Sequence, residues 1–388
     1  MCLCSKNLLV PFLSLLFFTV SIYSLKLIPS SDPFISSSNP SIGITYSRHP
    51  TSDLPRPDQV VTTLQSLGVT RARVLHPDPN LVGAFSYSGI SLLLSIPNTH
   101  IRAIAANPSA ATKWLNSHVF PFYPRAHITT ISVGNDVITS NPELSGFLLR
   151  AMQNIYFALQ EVGFGKISVS TTHSFDIITT PFPPSAAEFK NPVAEWIMKP
   201  ILDFITTTNS SFLINAYPYK LYRSYPEIPI GYALFEKHPF NYRIDPATGV
   251  PYQNLFDVMV DAAISAMAAA GHKGIPVIVT ETGWPSDGDV TEPEANKQCA
   301  RMYSVGLIMH LMKGVGTPLR REGATETYLF ELFDAKTKQG PGSDRNWGIL
   351  YPNMTMKFGD GFSGSDRYRG ACLTQMVVTF CMMFAFLL

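Results

Sequence analysis

Charge and cysteine are both scarce in this sequence. Asp, Glu, Lys and Arg make up 15% of its 388 residues, and 29 basic against 28 acidic residues leave a formal charge of only +1. A surface so balanced offers no electrostatic match to nucleic acid, whose binding rests on neutralised phosphates, so a neutral or polar partner is expected. Of five cysteines, Cys2 and Cys4 precede an N-terminal apolar run and Cys372 and Cys381 lie in the last stretch, which leaves Cys299 alone for the body of the chain. A body with one cysteine has no internal disulfide and must be stable on its core alone. Also missing are a Cys/His cluster at metal-ligand spacing and a glycine-rich phosphate loop, so no metal and no cofactor are expected.

What is abundant is apolar sequence, 46% of the chain, and both ends use it as a signal. After Lys6 comes "LLVPFLSLLFFTVSIYS", which has the length and flanks of a secretory signal peptide over 1–24 and is short of a membrane span. Residues 25–41 are rich in Ser and Pro and read as a loose lead-in. At the other end "DGFSGSDRYRGA" supplies small residues and a polar spacer before an apolar tail of 17 residues. That order matches a lipid-anchor signal over 359–388, with Ser363 the best attachment point and a removed tail of about 364–388. A secreted protein held at the outer face of the plasma membrane or in the wall is expected, acting as a monomer. Asn209 in "NSS" and Asn353 in "NMT" are glycosylation sequons consistent with that route.

Between the ends the chain alternates. β-rich apolar runs occur at 43–47, 71–76, 90–98, 128–136, 167–174, 212–219, 275–284 and 325–334. The segments between most of them have helix periodicity. In 143–165, Leu144, Leu148, Met152, Ile155 and Leu159 fall on one stripe, ended by Gly163 and Gly165. Met259, Met267, Met309 and Met312 lie at helical spacing and read as packing residues. Eight near-continuous strands, each followed by a crossover, predict an α/β fold: a single (β/α)₈ TIM barrel over 42–358.

Active sites in such barrels are built where strands end. The residues at these ends are Tyr46, His76, Asn98, Asn135, Asp136, His173, Tyr217, Glu281, Trp284 and Phe333. Two acids among amides and aromatics suit sugar chemistry: one carboxyl protonates a leaving oxygen, a second attacks the anomeric carbon, and aromatic faces stack on pyranose rings. His76 and His173 read as packing or rim residues rather than catalysts.

Two stretches carry a resemblance. "VIVTETGWPSDG" resembles the nucleophile motif of plant endo-1,3-β-glucanases, glycoside hydrolase family 17, and "ISVGND" resembles that family's acid/base motif, usually V-G-N-E. "GITYS", "RPDQVVTTLQSLGVTRARVL", "DPNLVGAFSYSGISLLLSIPN", "FPPS", "LINAYPY", "GTP", "ETYLFELFD" and "RNWGILYP" follow in the family's order, so the likeness covers about 43–355. It implies a (β/α)₈ fold, a retaining double displacement and a linear β-1,3-glucan substrate. It also implies Glu281 as nucleophile, Asn135 as the holder of the sugar 2-hydroxyl and Asp136 as acid/base, with Tyr46, Tyr217, Trp284, Phe333, Lys338 and Asp344 in the binding cleft.

The sequence departs from the family at several of these places. Asp136 and Asp344 stand where the family has glutamate, Ala335 replaces another glutamate, and Thr45, Ser47 and His76 stand for Asn, Gly and Tyr. Asp136 is shorter than glutamate by about 1.5 Å, and a misplacement of about 1 Å at a reacting group can lower a rate on the order of 10²-fold. Two other expectations therefore stand beside the hydrolase: a glucan-binding wall protein with weakened turnover, and a hydrolase of another β-linked glycan.

Overall fold

All eight apolar runs become strands: β1 Ile42–Tyr46, β2 Arg71–Val74, β3 Ser91–Ile96, β4 His127–Asn135, β5 Ser168–Ser174, β6 Phe212–Asn215, β7 Val277–Thr282 and β8 Glu326–Phe330. They pair in parallel in chain order, and β8 closes on β1 to complete a barrel. The computed structural model describes residues 42–47, 55–237, 239, 241–335 and 338–358. The expected leader, lead-in and anchor signal, Ser363 included, lie outside them. No helix among the described residues is long and apolar enough to cross a membrane.

The strands are apolar on both faces because each has two cores to fill. Along β3, Leu92, Leu94 and Ile96 pack outward in the large core shared with the helices, whereas Leu93 points the other way and joins Leu213, Ile278 and Tyr328 in a small lumen cluster. That is the period-2 alternation of a strand covered on both sides. The outer helices take the complementary stripe. In the helix Ser145–Glu161, Leu148, Met152, Ile155 and Leu159 are all buried, and Gly163 ends the turn at φ 78°. Leu144 lies just before it in a 3₁₀ turn. Met259 and Met267 are buried in the helix Leu255–Ala269 as expected. Met309 and Met312, at the end of the helix Lys297–Leu311, are 53% and 43% exposed. The correction has a simple cause: that helix is amphipathic, and a methionine at helical spacing can fall on either face.

Past β8 the chain turns back across the mouth of the barrel. Leu350 bridges Phe333 on one side and Met356 on the other. Lys357 then inserts its Nζ 2.5 Å from Asp334 Oδ1 and 2.7 Å from Ser286 Oγ, in a pocket that leaves the two charged side chains 1% and 8% exposed.

The lumen is filled at the bottom so that the top can be polar. Tyr328 lies so close to β1 that a Cβ on Gly43 would come within 2.5 Å of its ring and 2.9 Å of Arg71 O. Gly43→Ala should therefore destabilise the fold by about 1–3 kcal/mol, the usual range for overpacking. Chemical denaturation should show a lower midpoint with an unchanged slope, and an unaltered midpoint would mean that the lumen has slack there.

Candidate active site

Above the apolar cluster the lumen changes character. Thr45, Arg73, Ser132, Thr172 and Thr280 are all buried inside the barrel. A guanidinium in such a place must be paired, since an isolated buried charge is prohibitively costly. Arg73, fully enclosed on β2, reaches across the barrel and places Nη1 2.5 Å from Glu281 Oε1 at the end of β7. Its Nη2 donates to Asn135 Oδ1 at 2.9 Å and to Thr172 Oγ1 at 3.4 Å. The second oxygen of Glu281 accepts from the Tyr217 hydroxyl. Burial, reinforced by the Glu281 charge, pushes that phenol well above its usual range, so it stays a donor.

The other half of the site is set by a kink at the end of β4. Gly134 has φ 81°, and a side chain there would strike Val137 and Ile101. Asn135 follows, its backbone clasped by Asn98: the Asn135 N–H donates to Asn98 Oδ1 at 2.8 Å, and Asn98 Nδ2 donates to Asn135 O at 3.0 Å. Asp136 then sits at φ 52°, a left-handed conformation that Asp and Asn tolerate better than most residues. Two positive-φ residues flanking Asn135 thus end the strand and turn the Asp136 carboxyl into the lumen mouth. There Asn215 Nδ2, at the end of β6, donates to both Asp136 Oδ1 (3.0 Å) and Asn135 Oδ1 (3.1 Å). Asn215 is itself aimed by Thr280 Oγ1, which donates to its Oδ1 at 2.8 Å.

The result is a continuous relay of side chains, Asp136 to Asn215 to Asn135 to Arg73 to Glu281 to Tyr217, with a carboxyl near each end. The two carboxyls sit in different surroundings. Asp136 keeps part of its surface open to the cleft, but its surroundings are dry enough that desolvation, followed by the charge of Glu281, raises its pKa to about 7. Glu281 is ion-paired with Arg73. A carboxyl whose pKa is raised by burial beside one held in an ion pair is the arrangement that an acid and a nucleophile require. A third carboxyl, Glu331 just past β8, is buried and accepts from the Ser47 hydroxyl; burial lifts its pKa to about 8.

The residues named from sequence fare unevenly. Asn135, Asp136, Tyr217 and Glu281 come together. Tyr46 and Phe333 pack edge to face at 6.1 Å, and Trp284 lies among Tyr219, Tyr222 and Tyr303 with its indole N–H on Glu294 O. All three are buried, so their rings support the rim rather than present an open face. Lys338 is exposed, its Nζ 5.6 Å from the centre of the Phe330 ring, and Asp344 lies in the 3₁₀ turn Gly342–Arg345. His173 is buried, stacked on Phe212 at 5.1 Å and pushed down to about 3 by burial, so it is a neutral packing residue. His76 is exposed beyond the end of β2. Arg73, Asn215 and Glu331 escaped the reading of strand ends. Arg73 had a signal, being an arginine in mid-strand between buried neighbours in "RARVLH".

A closed parallel barrel whose β4 and β7 ends carry one desolvated and one ion-paired carboxyl defines a glycosidase. The chain matches the glycosyl hydrolases family 17 over residues 20–360, and it belongs to that family. It is 38% identical over 351 residues to glucan endo-1,3-beta-glucosidase 7 of Arabidopsis thaliana, which covers 90% of this chain and 69% of that protein. Over 336 residues it is 39% identical to glucan endo-1,3-beta-glucosidase 11 of the same plant, covering 85% and 78%. Among solved structures, CJP38, a beta-1,3-glucanase and pollen allergen of Cryptomeria japonica, superposes with a TM-score of 0.79 at 34% identity, covering 83% of this chain and 99% of that one.

Raised carboxyls set the pH response. Asp136 and Glu331 stay protonated in the fold to about pH 7 and 8, whereas in the unfolded chain they ionise near 4. Between those values the folded state binds more protons, so their contribution to stability is full below about pH 4 and is lost as pH rises through 7 to 8. The melting temperature should fall from pH 5.5 to pH 8.5, and Glu331→Gln should flatten the decline. A Glu331→Gln slope equal to wild type would remove Glu331 from the effect.

Proposed function

We propose that the protein is an endo-acting, retaining hydrolase of 1,3-β-glucan. The observation that carries the reading is the relay from Asp136 to Glu281, which places a protonated carboxyl and an ion-paired carboxylate in one cleft of a family 17 barrel. In the first step a Glu281 oxygen attacks the anomeric carbon while Asp136 gives its proton to the departing glycosidic oxygen, leaving a covalent glycosyl ester on Glu281. In the second step Asp136, now a carboxylate, takes a proton from water as that water displaces Glu281 and restores both groups. Arg73 and the Tyr217 hydroxyl keep Glu281 ionised and oriented. Asn135 holds the sugar 2-hydroxyl beside it, and Tyr217 offers its ring edge to the bound sugar. Lys338 and Asp344 contribute from the loop after β8.

A weakened, glucan-binding protein is the second reading, favoured by the short acid and by Ala335 in place of a carboxylate. One series separates the two. Glu281→Gln should abolish turnover of a soluble 1,3-β-glucan with binding and fold retained. Asp136→Glu should raise kcat ten-fold or more, about 1.4 kcal/mol of barrier, with a stability loss on the order of 1 kcal/mol because φ 52° suits glutamate less well than aspartate. Asp136→Ala should be slowest on the glucan and least impaired on an activated aryl glycoside, which needs little protonation. Equal rates for wild type and Asp136→Ala on both substrates would sink the assignment of Asp136.

The same proposal places the enzyme outside the cell, cleaved after its leader, glycosylated at Asn209 and Asn353 and lipid-anchored near Ser363. Both asparagines are exposed, and Asn353 Oδ1 already accepts from the N–H (3.1 Å) and hydroxyl (2.7 Å) of Thr355. A phosphatidylinositol-specific phospholipase should release the protein from membranes; a membrane-bound product that retains residues 372–388 by mass would show a spanning tail instead.

A further inference from the structure

In a displacement at an anomeric carbon the leaving oxygen departs on the side away from the nucleophile, so the acid marks where the leaving sugars lie. Asp136 lines a recess of about 180 Å³ whose walls include Asn215, Tyr217, Asp176, Lys190 and Lys220 but not Glu281. Its outer walls come from the segments after β5 and β6. By the logic of the reaction this recess receives the leaving half of the chain.

Its charge is out of keeping with a neutral polysaccharide. Lys190 and Lys220 are both exposed to the recess, and neither is ion-paired with a carboxylate among the described residues. Lys220 is held in place: its Nζ lies 4.7 Å from the centre of the Tyr217 ring, the ring whose hydroxyl serves Glu281. Asp176, the one other charged wall besides Asp136, accepts from the Ser174 hydroxyl at 3.0 Å. An ammonium beside a general acid favours the acid's ionised form, and Lys220 acts on Asp136 in that direction. In an empty cleft, or one filled by neutral glucose units, Lys220 thus works against the proton that Asp136 must hold. An anionic group on the leaving sugar reverses this, since it would neutralise the ammonium and leave Asp136 protonated while the bond breaks.

We propose that the recess beyond Asp136 is a subsite for a carboxylate-bearing sugar, with Lys190 and Lys220 as the residues that recognise the charge, so that glucans carrying an acidic unit on the leaving side are the preferred substrates. This inference rests on the hydrolase reading for its account of which side is which, and the two can fail separately.

The test uses a short 1,3-β-linked glucan oligosaccharide in two forms that differ only in charge at the reducing end, the aldonate and the alditol. Binding of each to the Glu281→Gln protein is measured by calorimetry at low and high salt, alongside hydrolysis of the unmodified oligosaccharide by wild type. The aldonate should bind at least five-fold tighter than the alditol at low salt, with the ratio shrinking as salt screens the ammoniums. In the Glu281→Gln protein that also carries Lys190→Met and Lys220→Met the ratio should fall to within two-fold of unity, with melting curves confirming that the variant is folded. Equal affinities in the lysine-bearing protein, or a preference that survives removal of both lysines, would overturn the proposal. Hydrolysis of the neutral oligosaccharide without any charge preference defeats the subsite and spares the hydrolase. A charge preference without hydrolysis of any form does the opposite.

Discussion

A buried arginine holds this site together. Arg73 lies inside the barrel with no surface of its own, and its guanidinium spans the cleft from the β4 side to the β7 side, through Asn135 and Glu281. Burying that charge is costly, and the cost is offset only while both partners are in place; deleting one member of such a pair typically loses about 3–5 kcal/mol. The orientation of Glu281 and of Asn135 and, through Asn215, the position of Asp136 all depend on it. A lysine could carry the charge but not the fork that reaches two acceptors at once.

The rest of the barrel is arranged around that pair. Below it, Leu93, Leu213, Ile278 and Tyr328 seal the lumen and exclude water from the base. Beside it, threonines and serines bond to one another, to backbone carbonyls and to Asn215 without adding charge. Above it, the positive φ values at Gly134 and Asp136 end β4 and turn a second carboxyl toward the lumen mouth. Two chemically similar groups are thus placed differently. Glu281 is paired with an arginine, whereas burial, followed by the charge of Glu281, raises the pKa of Asp136.

The barrel was legible in the sequence because strand and helix periodicities are local, and each of the eight runs overlaps a strand. The two carboxyls were legible because they end strands. What escaped depends on which way a side chain points. "RARVLH" shows an arginine in a strand, but only the closure of β2 against the far wall aims it at Glu281. Asn215 was passed over for Tyr217 because the apolar run continues four residues past the true strand end, into the helix Pro218–Ser224. For the aromatic residues the difficulty runs the other way. Tyr46, Trp284 and Phe333 do lie near strand ends, but a strand-end position does not reveal whether a ring faces a cleft or the neighbours that hold the cleft in shape.

The ion pair between Lys357 and Asp334 has a mechanical side. Tension applied to the chain past Phe358 reaches Lys357 first, and it is handed to a buried charge pair at the end of β8 before any barrel strand bears load. Ser286, which also holds Lys357, follows β7 by a few residues, so the load enters at the rim that carries the cleft. A tug there is resisted by electrostatics in a dry pocket, which bulk salt screens far less than it does a surface pair.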